Sequence, residues 1–227
     1  MPAKNVASYI QEAITPLRKA DYENWELIVI DDHSSDDTPA ILTQAQKDDP
    51  RIVVYQNKGR GKVQALNHGY SLANGEIIKC IDADDVLATT FFDFLGDIIN
   101  CDACCHDYYI AKKDLKVVGE YTMNTAFFNK SFEHCMKNLI SLPRCVWSFK
   151  RNIGNYIFPM PEDLPFEDVW FSLIIKKYAG ANIRHIARSL YYYRQHDNQT
   201  FGGILNFNRE IVSFRAQRML RLIEVIE

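Results

Sequence analysis

Apolar and polar positions follow two alternating periods over the first hundred residues. Val6, Ile10, Ala13, Ile14 and Leu17 recur at helical spacing, and Leu27-Ile28-Val29-Ile30 then forms a continuous apolar run halted by Asp31-Asp32. The pair repeats. Ile41, Leu42 and Ala45 mark a second helix and Ile52-Val53-Val54-Tyr55 a second strand. Val63, Leu66, Asn67, Tyr70 and Leu72 mark a third helix, ended by Asn74-Gly75, and the strand Ile77-Ile78-Lys79-Cys80-Ile81 stops at Asp82. Strands this apolar are usually covered on both faces, as when crossover helices flank a parallel sheet. The expected fold class is α/β, a doubly wound, Rossmann-like unit with helices on both faces of its sheet.

Beyond Leu87 the rhythm changes. The pattern predicts a short helix near Phe91–Ile98, strands near Asp102–Ala111 and Leu115–Tyr121, and a helix around Phe132–Leu139. Residues 142–165 carry four of the eight prolines with few clear periods and are expected to form an ordered loop. A helix from about Asp168 to Tyr178, two short strands near Ile183–Ala187 and Leu190–Tyr193, and a long helix from about Leu205 complete the reading. No internal repeat or low-complexity linker divides the chain, so residues 1–227 are read as a single domain whose second half drapes over the sheet.

Composition narrows the classes. Lys plus Arg total 26 against 29 Asp plus Glu, a formal net charge of −3, which does not supply the broad basic face of a nucleic-acid binder. No apolar run approaches the ~18–20 residues needed to span a bilayer. No apolar core follows a basic start at Met1-Pro2-Ala3-Lys4-Asn5, so a cytoplasmic setting with reduced thiols is expected. Of the six cysteines, Cys101, Cys104 and Cys105 beside His106 have part of a zinc spacing. Consecutive strand residues point to opposite faces, however, so these read as buried, inert thiols.

Candidate chemistry gathers where apolar strands end, because an open parallel sheet binds ligands beyond the carboxyl ends of its strands. The first cluster is Asp31-Asp32-His33-Ser34-Ser35-Asp36-Asp37-Thr38. Its later half reads as a helix cap, with Pro39 in the first turn. Asp31 and Asp32, two like charges at a strand tip, can accept hydrogen bonds from a base N–H or a ribose hydroxyl. The second cluster, Asp82-Ala83-Asp84-Asp85, places three carboxylates within four residues. They repel one another unless a cation neutralises them, and hard oxygen ligands on a short loop suit Mg²⁺ or Mn²⁺. Between the clusters, Lys62 follows Gly59-Arg60-Gly61 at a helix start, where an anion would offset a cation that the helix dipole disfavours. Asp82-Ala83-Asp84 also fits the nucleophile loop of haloacid-dehalogenase-type phosphatases, with Asp82 as nucleophile and Asp84 as acid. In that family the motif normally ends the first strand.

In order and spacing the motifs resemble the inverting GT-A glycosyltransferases of family 2. These are Pro2-Ala3-Lys4-Asn5, the Asp31–Thr38 cluster, Gly61-Lys62 through Ala65-Leu66-Asn67-His68-Gly69, Ala73-Asn74-Gly75-Glu76 and Asp82-Ala83-Asp84-Asp85. Pro165-Phe166-Glu167-Asp168 and the aromatic Tyr191-Tyr192-Tyr193-Arg194-Gln195-His196 follow. The resemblance implies a metal-dependent transferase that moves a sugar from a nucleotide-sugar donor, UDP-linked, to a saccharide or lipid-linked acceptor in surface-polysaccharide or glycolipid assembly. It also implies roles. Pro2, Asp31, Asp32, Lys62, Asp82 and Asp84 would line the nucleotide, and Asp32 would take the base edge. Asp84 or Asp85 would hold Mg²⁺ or Mn²⁺, His196 would be a further metal or diphosphate contact, and Asp168 would be the base. Residues 1–100 would form the nucleotide and metal half, 101–200 the acceptor half, and 201–227 a terminal helix.

That helix intersperses Arg209, Arg215, Arg218 and Arg221 among apolar positions, a pattern that suits packing on its own domain or on a second subunit, or peripheral contact with the inner face of a membrane. A non-catalytic nucleotide-sugar-binding protein is the remaining alternative. Trp147 and Trp170 read as core. The resemblance further implies an apolar first strand, central in the sheet, ahead of Pro2. The chain is therefore expected to lack most of that strand.

Overall fold

A computed structural model of the chain describes residues 1–123, 125–180, 182–196 and 217–219. The elements that carry the nucleotide half are β1 (Pro2–Ala3), α1 (Ile10–Arg18), β2 (Leu27–Asp31), α2 (Thr38–Asp48), β3 (Ile52–Gln56) and α3 (Lys62–Leu72). β1, β2 and β3 form a parallel sheet in that order, with Pro2 opposite Ile30 and Leu27 opposite Ile52. The apolar run of β2 is buried because helices cover it: Ile10, Ile14 and Leu17 of α1, Leu42 of α2 and Leu66 of α3 all lie in the core.

The second sheet is mixed. Its strands are β4 (Ile77–Lys79), β5 (Val86–Leu87), β6 (Ala103–Ala111), β7 (Val117–Tyr121), β8 (Trp147–Lys150) and β9 (Ile183–Arg194). They run β4-β8-β6-β9-β5, with β7 paired to β6. The helices of this half are α4 (Leu95–Ile99), α5 (Thr125–Asn129), α6 (Phe132–Asn138), α7 (Arg151–Ile157) and α8 (Glu167–Ala179). β4 is shorter than the predicted strand, and Cys80 and Ile81 continue from it as buried, irregular chain.

The expected loop at 142–165 holds β8 and α7. Buried Trp147 and Phe149 drive this by placing β8 between β4 and β6. The two predicted strands near the end are one, β9, whose pairing with β6 shifts register at His106 and Asp107. All six cysteines are free and buried, and Trp147 and Trp170 are core. The helix predicted from about Leu205 lies outside the described residues except for helical Gln217–Met219, where Met219 is buried and Arg218 pairs with Asp163 at 2.5 Å. Among the described residues no helix is long and apolar enough to cross a membrane.

The first strand is the two residues of β1, which among the described residues borders β2 alone and is not central. The Met1 amino group donates to the Ile28 carbonyl at 2.9 Å, and the β2 edge behind it has no strand partner among the described residues. A cavity of about 600 Å³ opens there, bounded by Leu27 and Ile28 of β2, Ile78 of β4, Leu66 of α3, Leu87 and Phe91. It separates the β2 and β4 edges that are unpaired among the described residues.

Candidate active site

The site is assembled at the carboxyl ends of β2 and β4. Asp31 closes β2, and His33 turns the chain with a left-handed φ of 58°. Asp32 is buried and fully engaged. Its Oδ1 accepts from Asn57 Nδ2 at 2.7 Å and from the Gly61 N–H at 2.9 Å, and its Oδ2 faces Lys4 Nζ at 3.1 Å. Burial opposes its ionisation, but the Asn57, Gly61 and Lys4 donors outweigh this and hold the carboxyl below its usual value. Asp31 accepts the Ser34 N–H at 3.3 Å and its main chain takes Asn57, so the pair pins the loop that leads into α3. Gly61 begins that helix at φ 87°, a conformation open to glycine at little cost.

From Gly61 the contacts continue into a second group. Lys62 Nζ lies 3.1 Å from Asp82 Oδ1 and 3.2 Å from Glu167 Oε1. The helix-start lysine is therefore offset by two carboxylates of the chain itself. Arg144, 2% exposed, donates through Nη2 to Asp82 Oδ1. Its main-chain N–H donates to Asp168 Oδ1 at 2.7 Å. Asp32, Gly61, Lys62, Asp82, Arg144 and Asp168 thus form one connected run.

The two ends of this run differ electrostatically. Burial opposes ionisation of Asp82, yet the Arg144 and Lys62 cations keep its carboxyl well below the carboxylate range. Burial, reinforced by the Glu167 charge, pushes the Asp168 carboxyl up to about 6. Three carboxylates here face two cations, and the divergence of Asp82 from Asp168 is the pattern of an electrostatic anchor beside a proton acceptor.

Asp84 and His196 meet on the other side of the Asp82 loop. His196 Nε2 lies 3.1 Å from Asp84 Oδ2, and the His196 ring stacks on Tyr9 with centroids 4.7 Å apart. One carboxylate and one imidazole suit a divalent ion whose remaining positions are filled by phosphate oxygens and water. Among the described residues no three His, Cys, Asp or Glu side chains converge as a ready-made metal cage. Asp85 faces inward instead. It is 3% exposed and its Oδ1 accepts the Arg194 N–H at 2.7 Å. Burial, then the charges of Asp84 and Asp82, push its carboxyl well above the usual value.

The structure therefore joins Asp32, Lys62, Asp82 and Asp168, pairs Asp84 with His196, and sets Asp85 apart from that pair. Pro2 is in β1, half-buried, opposite Ile30. Arg144 was not apparent in the sequence. It lies in the proline-containing segment read as a loop, and only the fold carries it 62 residues back to Asp82.

A parallel β2-centred unit joined to a mixed sheet, with acidic clusters at the tips of β2 and β4, defines the GT-A class of α/β folds. Residues 1–100 match the profile of "Glycosyl transferase family 2". A beta-1,3-glucosyltransferase of Campylobacter jejuni acting on GalNAc(5)-diNAcBac-PP-undecaprenol is 37% identical over 89 residues, 38% of this chain and 29% of that protein. The fold is that of S. aureus TarS 1-349 in complex with UDP-GlcNAc, with a TM-score of 0.73 and 19% identity over 97% of this chain and 64% of that one. The mannosyltransferase PcManGT of Pyrobaculum calidifontis, in complex with GDP-Man and Mn2+, shares it with a TM-score of 0.56 and 21% identity over 83% and 53% of the two chains. The chain spans 29–58% of the length of the first four curated relatives it matches.

Proposed function

We propose that the chain transfers a sugar from a UDP-linked donor to a hydroxyl of a saccharide or lipid-linked acceptor, with inversion, in the cytoplasm during surface-polysaccharide or glycolipid assembly. The observation that carries this reading is Asp168. Its carboxyl is held by the Arg144 N–H, beside the Asp82–Lys62–Arg144 charges, with a pKa pushed up to about 6. A base poised there is ionised at neutral pH and still basic enough to accept a proton.

In this reading Asp168 takes the acceptor hydroxyl proton as the oxygen attacks the anomeric carbon and the bond to the diphosphate breaks. The Arg144 N–H fixes one carboxylate oxygen, and the other would receive the proton. Asp31 and Asp32 shape the base-binding end through the loop they pin, next to Pro2. Asp82, anchored by two cations, faces the donor. Asp84 with His196 would hold Mg²⁺ or Mn²⁺, and Asp85, neutral-prone and bonded to the Arg194 N–H, supports the loop from behind. The ion supplies charge neutralisation for the departing diphosphate. Support for a nucleotide sugar and a metal comes from the UDP-GlcNAc and GDP-Man–Mn2+ complexes of proteins with the same fold.

The test is UDP release from UDP-GlcNAc, UDP-glucose and UDP-galactose in the presence of Mn²⁺ and membrane glycolipid acceptors. Acceptor-dependent release from one donor, abolished by chelator, supports the reading. Release from none of them counts against it.

A further inference from the structure

The guanidinium of Arg144 is used at only one end. Nη2 holds Asp82, whereas Nη1 is buried and has no hydrogen-bond partner among the described residues. Buried guanidinium N–H groups are normally satisfied, and one left open at a site marks a donor reserved for something that binds there. The fork is rigid and planar, so the bond to Asp82 fixes where Nη1 points. The main chain of the same residue holds Asp168 at 2.7 Å, which ties this spare donor to the base.

Charge decides what it can take. Arg144 and Lys62 face Asp82, Glu167 and Asp168, so the cations are already outnumbered. A further anionic oxygen would meet net repulsion, whereas a neutral hydroxyl would not. The long Lys62 side chain, 42% exposed, forms the open wall of the cluster and is the member able to give way as such a group enters.

We infer that Arg144 Nη1 donates to a ring hydroxyl of the sugar being transferred and so selects which nucleotide sugar the enzyme uses. This rests on the glycosyl-transfer reading. It adds a specificity-determining contact made by a residue outside the acidic motifs.

Titration of the wild-type protein and of Arg144→Lys with UDP, UDP-glucose, UDP-galactose and UDP-GlcNAc, all with Mn²⁺, tests it. Lysine keeps a cation for Asp82 but loses the second nitrogen that the planar fork holds in a fixed direction. UDP affinity should stay within about threefold, while the preferred nucleotide sugar loses about tenfold, the scale of one buried hydrogen bond. Deoxy analogues of that donor give a second measurement that does not depend on the variant folding. In the wild-type protein one missing hydroxyl should cost about tenfold, and in Arg144→Lys the same deletion should cost little more. Equal loss of UDP and nucleotide sugar, or a wild-type protein indifferent to every deletion, overturns the inference. A wild-type protein that binds no nucleotide at all overturns the glycosyl-transfer reading itself.

Discussion

The main-chain N–H of Arg144 donates to Asp168 Oδ1 at 2.7 Å, joining a short helical turn before β8 to the first turn of α8. Asp168 also sits where a helix N-terminus welcomes a carboxylate, so its role in folding and its role in chemistry must be separated. Asp168→Asn keeps the size and one acceptor oxygen. It should leave UDP affinity within a few-fold and lower sugar transfer by roughly 10²–10⁴. Transfer that survives in a protein that merely melts earlier would reduce Asp168 to a helix cap.

The pH profile follows from the same group. With its pKa pushed up to about 6, kcat/KM should fall as the solution is acidified through that value. The stability effect has the opposite sign. Between the ordinary aspartate value and about 6, the native state holds a proton that the unfolded chain has released. Asp168 therefore contributes stability at acid pH that is lost as pH rises through 6. Chemical denaturation of Asp168→Asn between pH 4 and 7 should show a flatter dependence than the wild type.

Lys79, at the end of β4, lies behind the Arg144 segment and has no carboxylate partner among the described residues. Its ammonium donates to the Cys145 carbonyl and faces His106 Nε2 at 2.7 Å. Burial pulls its pKa down from 10.5 to about 8. Native Lys79 sheds its proton before the unfolded chain does, so its destabilising effect is complete below pH 8 and relieved as pH rises from 8 toward 10.5. Lys79→Met should raise stability at pH 7 by about 1–3 kcal/mol and remove that alkaline gain. Urea unfolding at pH 7 and 9.5 measures both effects, and a less stable variant at pH 7 would contradict them.

The acidic clusters were legible because local order suffices for them: apolar strands ending in Asp31-Asp32 and Asp82-Ala83-Asp84-Asp85 announce a ligand side of the sheet. The β2 and β3 runs were legible for the same reason. What periodicity could not show was pairing between distant segments. β8 is four residues long in a proline-containing stretch, and its strand character comes from lying between β4 and β6. Arg144 inherits the same obscurity, since nothing near it in sequence signals Asp82. The difference between Asp84 and Asp85 is a matter of burial, which neighbouring identical side chains do not reveal.

The cavity between β2 and β4 yields a structural prediction. Two sheet edges unpaired among the described residues, with Leu27, Ile28, Leu66, Ile78, Leu87 and Phe91 in a lining of mixed polarity, fit an extended strand, which would take main-chain hydrogen bonds from both. About five Val and Ile residues joined ahead of Met1, roughly the length of an ordinary strand, should raise the midpoint of thermal unfolding. The same length of Gly and Ser should not, because it buries little apolar surface. An unchanged midpoint with the apolar segment would show that the slot does not accept a strand.

The central claim is a nucleotide held with a divalent ion at Asp84. The most direct measurement is the thermal shift produced by UDP with Mn²⁺ and with chelator, for the wild type and Asp84→Ala, since a ligand that binds the folded state raises its midpoint by mass action. UDP should stabilise the wild-type protein more with Mn²⁺ than without, and Asp84→Ala should lose most of that difference. Equal stabilisation by UDP in metal and in chelator would contradict the account, and rapid phosphate-ester hydrolysis dependent on Asp82 would replace it with a phosphatase.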